Sequence, residues 1–123
     1  MQNQTEKAKK DLRQRCIDFS VNTLLYVDTF SRAVTSDVIA KQLARSATSV
    51  GANVTEAFGS GSKRDFVNFF SIALKSAKET AYWLLLCQRA QKGNLTLLPA
   101  LAQECEELTR MIAASILTVK GKR

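Results

Sequence analysis

An all-α fold, an antiparallel up-down-up-down four-helix bundle, is predicted for this 123-residue chain by three observations. Apolar residues recur at steps of three and four along four long stretches. A Gly-Ser run and a Gly-Asn pair interrupt that rhythm. The connections are short, which favours antiparallel packing of consecutive helices. The length corresponds to one domain, residues 1–123, large enough to bury a real core.

The first helix is predicted over about residues 5–32, where Leu12, Cys16, Phe19, Thr23, Tyr26 and Phe30 form one face. A partial second stripe, Ile17, Val21, Leu24 and Leu25, makes this helix more apolar than a simple bundle needs. The second helix, about 36–58, is expected to start at Ser36 as N-cap, with Asp37 in the first turn where the helix dipole favours an anion. Its stripe is Ile39, Leu43, Ala47, Val50, Val54, Ala57 and Phe58. Between these, Ser46, Ser49, Gly51 and Ala52 lack bulk and let a neighbouring helix come close. Gly51 costs about 1 kcal/mol of helix propensity relative to alanine, so a packing reason is expected for it.

The run Gly59 to Ser62 is the predicted hinge, and Ser62 with Asp65 three residues on resembles a shortened capping box. The third helix is predicted over about 63–91, with a core stripe of Phe66, Phe70, Ala73, Ala77, Ala81, Leu84 and Leu85. A different face carries Phe69, Ile72, Trp83 and Leu86. Apolar residues nearly all round from Ala81 to Cys87 predict a subunit interface on that face, since a lone bundle leaves one side of each helix to water. Gly93 and Asn94 are expected to end this helix, and Thr96 and Pro99 fit the first turn of a fourth over about 97–119. Its stripe is Leu98, Leu101, Cys105, Leu108, Ile112, Ile116 and Val119.

Composition narrows the function. Hydrophobic residues at 46% and charged residues at 24% indicate a globular chain. No apolar stretch follows the basic residues of MQNQTEKAKKDLRQR, so neither a secretory signal nor a membrane span is expected, and the cytoplasm is the expected location. Cys16, Cys87 and Cys105 are far apart, without a CxxC pair, and the chain has no histidine. Metal binding is therefore not expected, and the thiols read as buried and inert. The missing histidine also argues against Ser-His or Cys-His nucleophilic catalysis, and GSGSK lacks the spacing of a phosphate-binding loop. No enzyme activity and no cofactor are expected.

Eighteen Lys and Arg against eleven Asp and Glu leave a charge of +7. In the predicted topology, one end of the bundle gathers the start of helix one, the turn between helices two and three, and the end of helix four. That end holds Lys7, Lys9, Lys10, Arg13, Arg15, Lys63, Arg64, Lys120, Lys122 and Arg123, opposed only by Glu6, Asp11, Glu56 and Asp65. Local cation density of this kind fits phosphate binding, with solvated Lys-rich termini as the alternative reading.

The segments RSATSVGANVTEA and KRDFVNFFSIALKSAKETAYWLLL resemble the four-helix bundle proteins encoded by intervening sequences within bacterial 23S ribosomal RNA genes. The outer helices match in length and apolar rhythm only. A more distant related branch is the accessory variability determinant of diversity-generating retroelements, which works beside a reverse transcriptase and its template RNA. The resemblance implies a homopentameric barrel, in agreement with the apolar surplus on helix three, and implies no enzyme. Among the matched polar residues are Asn53, Glu56 and Glu79. Asn53 and Glu56 read as hydrogen-bonding or ion-pairing groups at a close helix contact, with Arg45 or Lys78 as partners.

The leading expectation is an oligomeric accessory protein that binds RNA or DNA through phosphate contacts at the basic end. No aromatic residue lies in that basic cluster, so base stacking is not suggested there. The alternative is a scaffold that docks another protein, for example a reverse transcriptase or another acidic partner.

Overall fold

A computed structural model describes residues 2–121, and the side chains among them except those of residues 2–6 and 10. Four helices, α1 (Gln2–Val27), α2 (Val34–Phe58), α3 (Lys63–Arg89) and α4 (Leu98–Lys120), are joined by short turns, with one 3-10 turn at Leu95–Leu97. No strand occurs among the described residues. One core draws on all four helices, through Leu12, Cys16, Phe19 and Tyr26 of α1, Leu43, Val50 and Val54 of α2, Phe70, Ala77 and Leu84 of α3, and Leu101, Leu108 and Ile112 of α4. Each set recurs at steps of three and four, so burial follows the stripes read from sequence.

α2 is approached closely on both flanks, and its small residues are the reason. On one flank, an added Cβ on Gly51 would lie 3.3 Å from the Cys16 Cβ, so α1 approaches as closely as a bare backbone allows. On the other flank, the buried Thr80 hydroxyl donates to the Ser46 hydroxyl at 2.9 Å, and the Ser49 and Ser76 hydroxyls lie 2.9 Å apart. Arg45 pairs with Glu79 outside this seam. Between the two hydroxyl pairs, the partner's number falls on α3, from 80 to 76, as it rises on α2, from 46 to 49. Alanine at position 52, by contrast, faces solvent.

The turn chemistry explains where the helices stop. α1 ends at Val27, not near residue 32, because Thr29 and Phe30 turn back in three-residue steps: their amides donate to the Tyr26 and Val27 carbonyls at 2.9 and 3.0 Å. The Thr29 hydroxyl adds a 2.6 Å bond to the same Tyr26 carbonyl, which removes it from any continuing helix. Ser36 is not the N-cap of α2. It is buried within the first turn, and extended Ala33 caps the helix without a side-chain bond. Ser62 does cap α3, its hydroxyl accepting from the Asp65 amide at 3.0 Å.

α3 stops at Arg89, short of residue 91, in a Schellman motif that carries Gln91 at φ 56 where glycine is usual. The Lys92 amide donates to the Cys87 carbonyl at 2.9 Å and the Gln91 amide to the Gln88 carbonyl at 3.3 Å. Gly93 follows at φ 72 and serves a different purpose from ending the helix. It lets the turn nestle under the α1–α2 connection, where Asn94 N donates to the Thr29 hydroxyl at 2.8 Å and the Tyr26 hydroxyl donates to the Lys92 carbonyl at 2.6 Å. Asn94 then caps the 3-10 turn, accepting from Thr96 N at 3.1 Å, and Pro99 takes its place in the first turn of α4. Ala81 and Leu85, expected in the core, are exposed instead. With Leu95, Leu98, Pro99 and Ala102 they line an open groove between α3 and α4.

Two outcomes test these packings. A Cβ on Gly93 would stand 2.7 Å from the Phe30 ring, at a backbone angle that costs a side chain about 1–3 kcal/mol. Gly93→Ala should therefore lower the unfolding free energy read from urea denaturation by at least that range, and an unchanged midpoint would show that the Phe30 segment moves aside freely. Glu79 accepts from Trp83 Nε1 at 2.9 Å and pairs with Arg45, which together hold its carboxyl below the ordinary value of 4.5. A depressed carboxylate stabilises the fold above its unfolded value and loses that contribution as pH falls through the lower folded value. Glu79→Gln should be less stable than the parent near pH 7 by no more than about 1 kcal/mol, because the pair is solvent-screened. The difference should close in acid, and one that persisted there would assign the loss to packing.

Candidate nucleic-acid interface

The start of α1, the α2–α3 turn and the end of α4 meet at one end of the molecule. Lys9 Nζ stands 6.0 Å above the Phe58 ring, and Lys9, Phe58, Gly61, Lys63, Phe66 and Val119 line one shallow cleft. Beneath it lie Phe58, Phe66 and Phe70, with ring centroids 4.3 to 5.9 Å apart. This aromatic layer anchors the turn that carries Lys63 and Arg64. Both sit at the N-terminus of α3, where unpaired amides and the helix dipole also favour an anion.

Of the cations assigned to this end from sequence, Lys7, Lys9, Arg13, Lys63, Arg64 and Lys120 are exposed. Lys122, Arg123 and the side chain of Lys10 lie outside the described residues. Arg15 does not belong to the group. Its guanidinium forms a two-point pair with Glu104, including Nε to Oε2 at 2.9 Å, and reaches Glu107 at 3.0 Å. Those hydrogen bonds push its pKa up and tie α1 to α4. A guanidinium facing two carboxylates is already neutralised, so it has little left for a phosphate. The sequence carried no sign of this pairing, because the partners stand 89 and 92 residues away. The acidic residues Asp11, Glu56 and Asp65 at this end are exposed.

The predicted interface residues divide. Phe69, Trp83 and Leu86 are half-buried, and Ile72 is 47% exposed. Trp83 leans toward Glu79, which already engages Arg45, so the apolar surplus of α3 is partly absorbed within the chain. The more open apolar surface is on α1, where Ile17, Val21, Leu24 and Leu25 are 42 to 57% exposed. The matched polar residues also rearrange relative to expectation. Arg45 pairs with Glu79, Asn53 bonds within its own helix to the Ser49 carbonyl at 2.8 Å, and Glu56 and Lys78 are exposed.

The three thiols are buried and unpaired. Burial pushes Cys16 up to about 12 and Cys105 to about 11, so neither is a thiolate at neutral pH. Among the described residues no group of three Cys, Asp or Glu side chains is placed to hold a metal ion, and no helix is long and apolar enough to cross a membrane.

No curated protein is significantly similar in sequence. A solved structure from Bacteroides thetaiotaomicron, described as a protein with unknown function from the S23 ribosomal protein family, is 30% identical and superposes with a TM-score of 0.80. The match covers 88% of this chain and 96% of that one. The sequence pattern of the 23S rRNA-intervening sequence proteins matches residues 8–114, and the chain belongs to that family.

Proposed function

We propose that this protein is a non-enzymatic, RNA-associated accessory protein that holds the phosphate backbone of RNA or DNA on its basic end. The observation that carries the reading is the meeting of Lys9, Lys63 and the last turn of α4 at one end. Cations from three distant segments form one field there. The family name points to an association with ribosomal RNA genes. Nothing in this proposal requires a cofactor, and its setting is the cytoplasm.

The proposal includes an antiparallel up-down-up-down bundle assembled as a homopentamer. The descending residue pairs across α2 and α3 support the first part. Two unlike apolar surfaces on one chain support the second: Phe69, Ile72, Trp83 and Leu86 on α3, and Ile17, Val21 and Leu24 on α1. A closed ring uses two different faces per subunit, whereas a two-fold dimer uses one face twice. The exposed α1 face also favours a second reading, a scaffold that docks a protein such as a reverse transcriptase. In that case the basic end would serve as a patch for an acidic partner.

Light scattering should give several times 13.6 kDa, and Ile72→Asp, at a position open to solvent in the single chain, should shift the mass downward. A monomer would remove the ring, and an unaffected oligomer would place the contact elsewhere. Binding should weaken steeply with salt, with a slope of about 0.9 per neutralised phosphate for duplex DNA and about 0.7 for single strands. Lys63→Glu with Arg64→Glu should weaken binding for every sequence and reduce the slope by about 1 for each phosphate no longer neutralised. Lys41→Glu, on exposed α2 surface away from the basic end, should have little effect. Equal weakening by both changes would refute a polarised interface, and no binding at low salt would leave the scaffold reading.

A further inference from the structure

We propose that the outward face of α3 is a track for single-stranded nucleic acid, with Tyr82 as a stacking platform for an unpaired base and Arg64, Lys75, Lys78 and Arg89 as its phosphate contacts. The proposal rests on the phosphate-binding reading above and adds a ligand class to it.

The row follows from helix geometry. Arg64, Ser71, Lys75, Lys78, Tyr82 and Arg89 are separated by steps of seven, four, three, four and seven, so they share one stripe of the helix. All six are exposed. From Arg64 to Arg89 the stripe extends about 37 Å at the rise of an α-helix. Four of its members are cations and none is an acid. Of the two acids of α3, Asp65 stands exposed beside Arg64 at the start of the row, and Glu79 is turned aside into its bonds with Trp83 and Arg45. One end of the row is Arg64, so the track starts at the basic end.

Tyr82 gives the row its selectivity. It is 54% exposed, and its ring meets Trp83 edge-on, centroids 5.2 Å apart at an interplanar angle of 70°. Trp83 is itself held by Glu79, at 2.9 Å from its ring nitrogen. The tyrosine ring is therefore supported from behind and has less freedom to lose on binding. A duplex keeps its base faces inside its own stack, so an exposed aromatic ring flanked by cations suits unpaired bases.

Trp83 is the only tryptophan, and it touches Tyr82, so its fluorescence reports locally. The full-length protein would be titrated with an oligouridylate of about twelve nucleotides, within the range of single-strand site sizes, and with a duplex RNA of equal length. Trp83 fluorescence, the anisotropy of end-labelled RNA and the oligomer mass would be followed together. Tyr82→Ala should weaken oligouridylate binding roughly five- to hundred-fold, the worth of one stacked base. Tyr82→Phe should restore it, duplex binding should not change, and the oligouridylate alone should perturb Trp83 in the parent. If Tyr82→Ala binds oligouridylate like the parent while Lys63→Glu with Arg64→Glu still abolishes binding, the track is wrong and the basic end stands. A changed oligomer mass in Tyr82→Ala would assign the ring to a subunit contact and overturn the proposal. Failure of the parent to bind either RNA at low salt would remove both readings.

Discussion

Close approach to α2 from both sides is the constraint on which the rest of the molecule depends. Gly51 admits α1, and Ser46 and Ser49 admit α3. Small residues alone would permit such an approach in several registers, since little bulk interlocks. The hydroxyls remove that freedom. Ser46, Ser76 and Thr80 are buried, and a buried hydroxyl without a partner costs on the order of 1–3 kcal/mol. Sliding α3 by one turn would separate both hydroxyl pairs at once and leave Ser46 and Thr80 only the bonds to their own helices' Leu43 and Ser76 carbonyls, so the hydroxyl pairs favour one register. Thr23, whose hydroxyl is buried without a partner, shows that the fold tolerates an isolated exception.

Register in turn decides where charge collects. With α2 and α3 locked and a four-residue hinge between them, Lys63 is fixed beside the Phe58, Phe66 and Phe70 layer and Arg64 follows it in the first turn of α3. α1 is placed by Gly51, which brings Lys9 to Phe58. The same logic takes Arg15 out of the field. Only six residues beyond Lys9, it has been carried down the side of α1 to face Glu104 and Glu107. Lys or Arg content along a chain therefore overstates a phosphate site, because the helical turn decides which cations meet carboxylates first.

This also marks what was legible in the sequence. The buried stripes could be read because helical periodicity is a local property, and the Ser62 cap because its donor is three residues away. The ends of α1 and α3 could not. Thr29 competes for a carbonyl within its own turn, and Gln91 takes a left-handed conformation that favours glycine, both held by contacts between connections more than sixty residues apart. Leu85 looked like core because its spacing is right, yet α4 does not close over it. The basic end was legible as a topological consequence. The cationic row on α3 has the same local periodicity as the buried stripes; what only the structure shows is that Glu79 turns aside from it and that Trp83 backs Tyr82.

α3 thus carries two opposite chemistries on adjoining faces. One carries Phe69, Ile72 and Trp83, and the other carries Lys75, Lys78 and Tyr82. In a ring of the kind proposed, the first face would serve a neighbouring copy and the second would remain in solvent. Rotation about a ring axis roughly parallel to the helices keeps every basic end on the same side, whereas a two-fold axis across them would set the ends opposed. Single exposed cations bind phosphate weakly, and their charge is screened within about 8 Å at physiological salt. Repetition around a ring changes that arithmetic, because each contact after the first forms at a high effective concentration. A surface too weak to hold RNA as one copy would then hold it as several, which ties the apolar faces of the chain to its basic end as parts of one device.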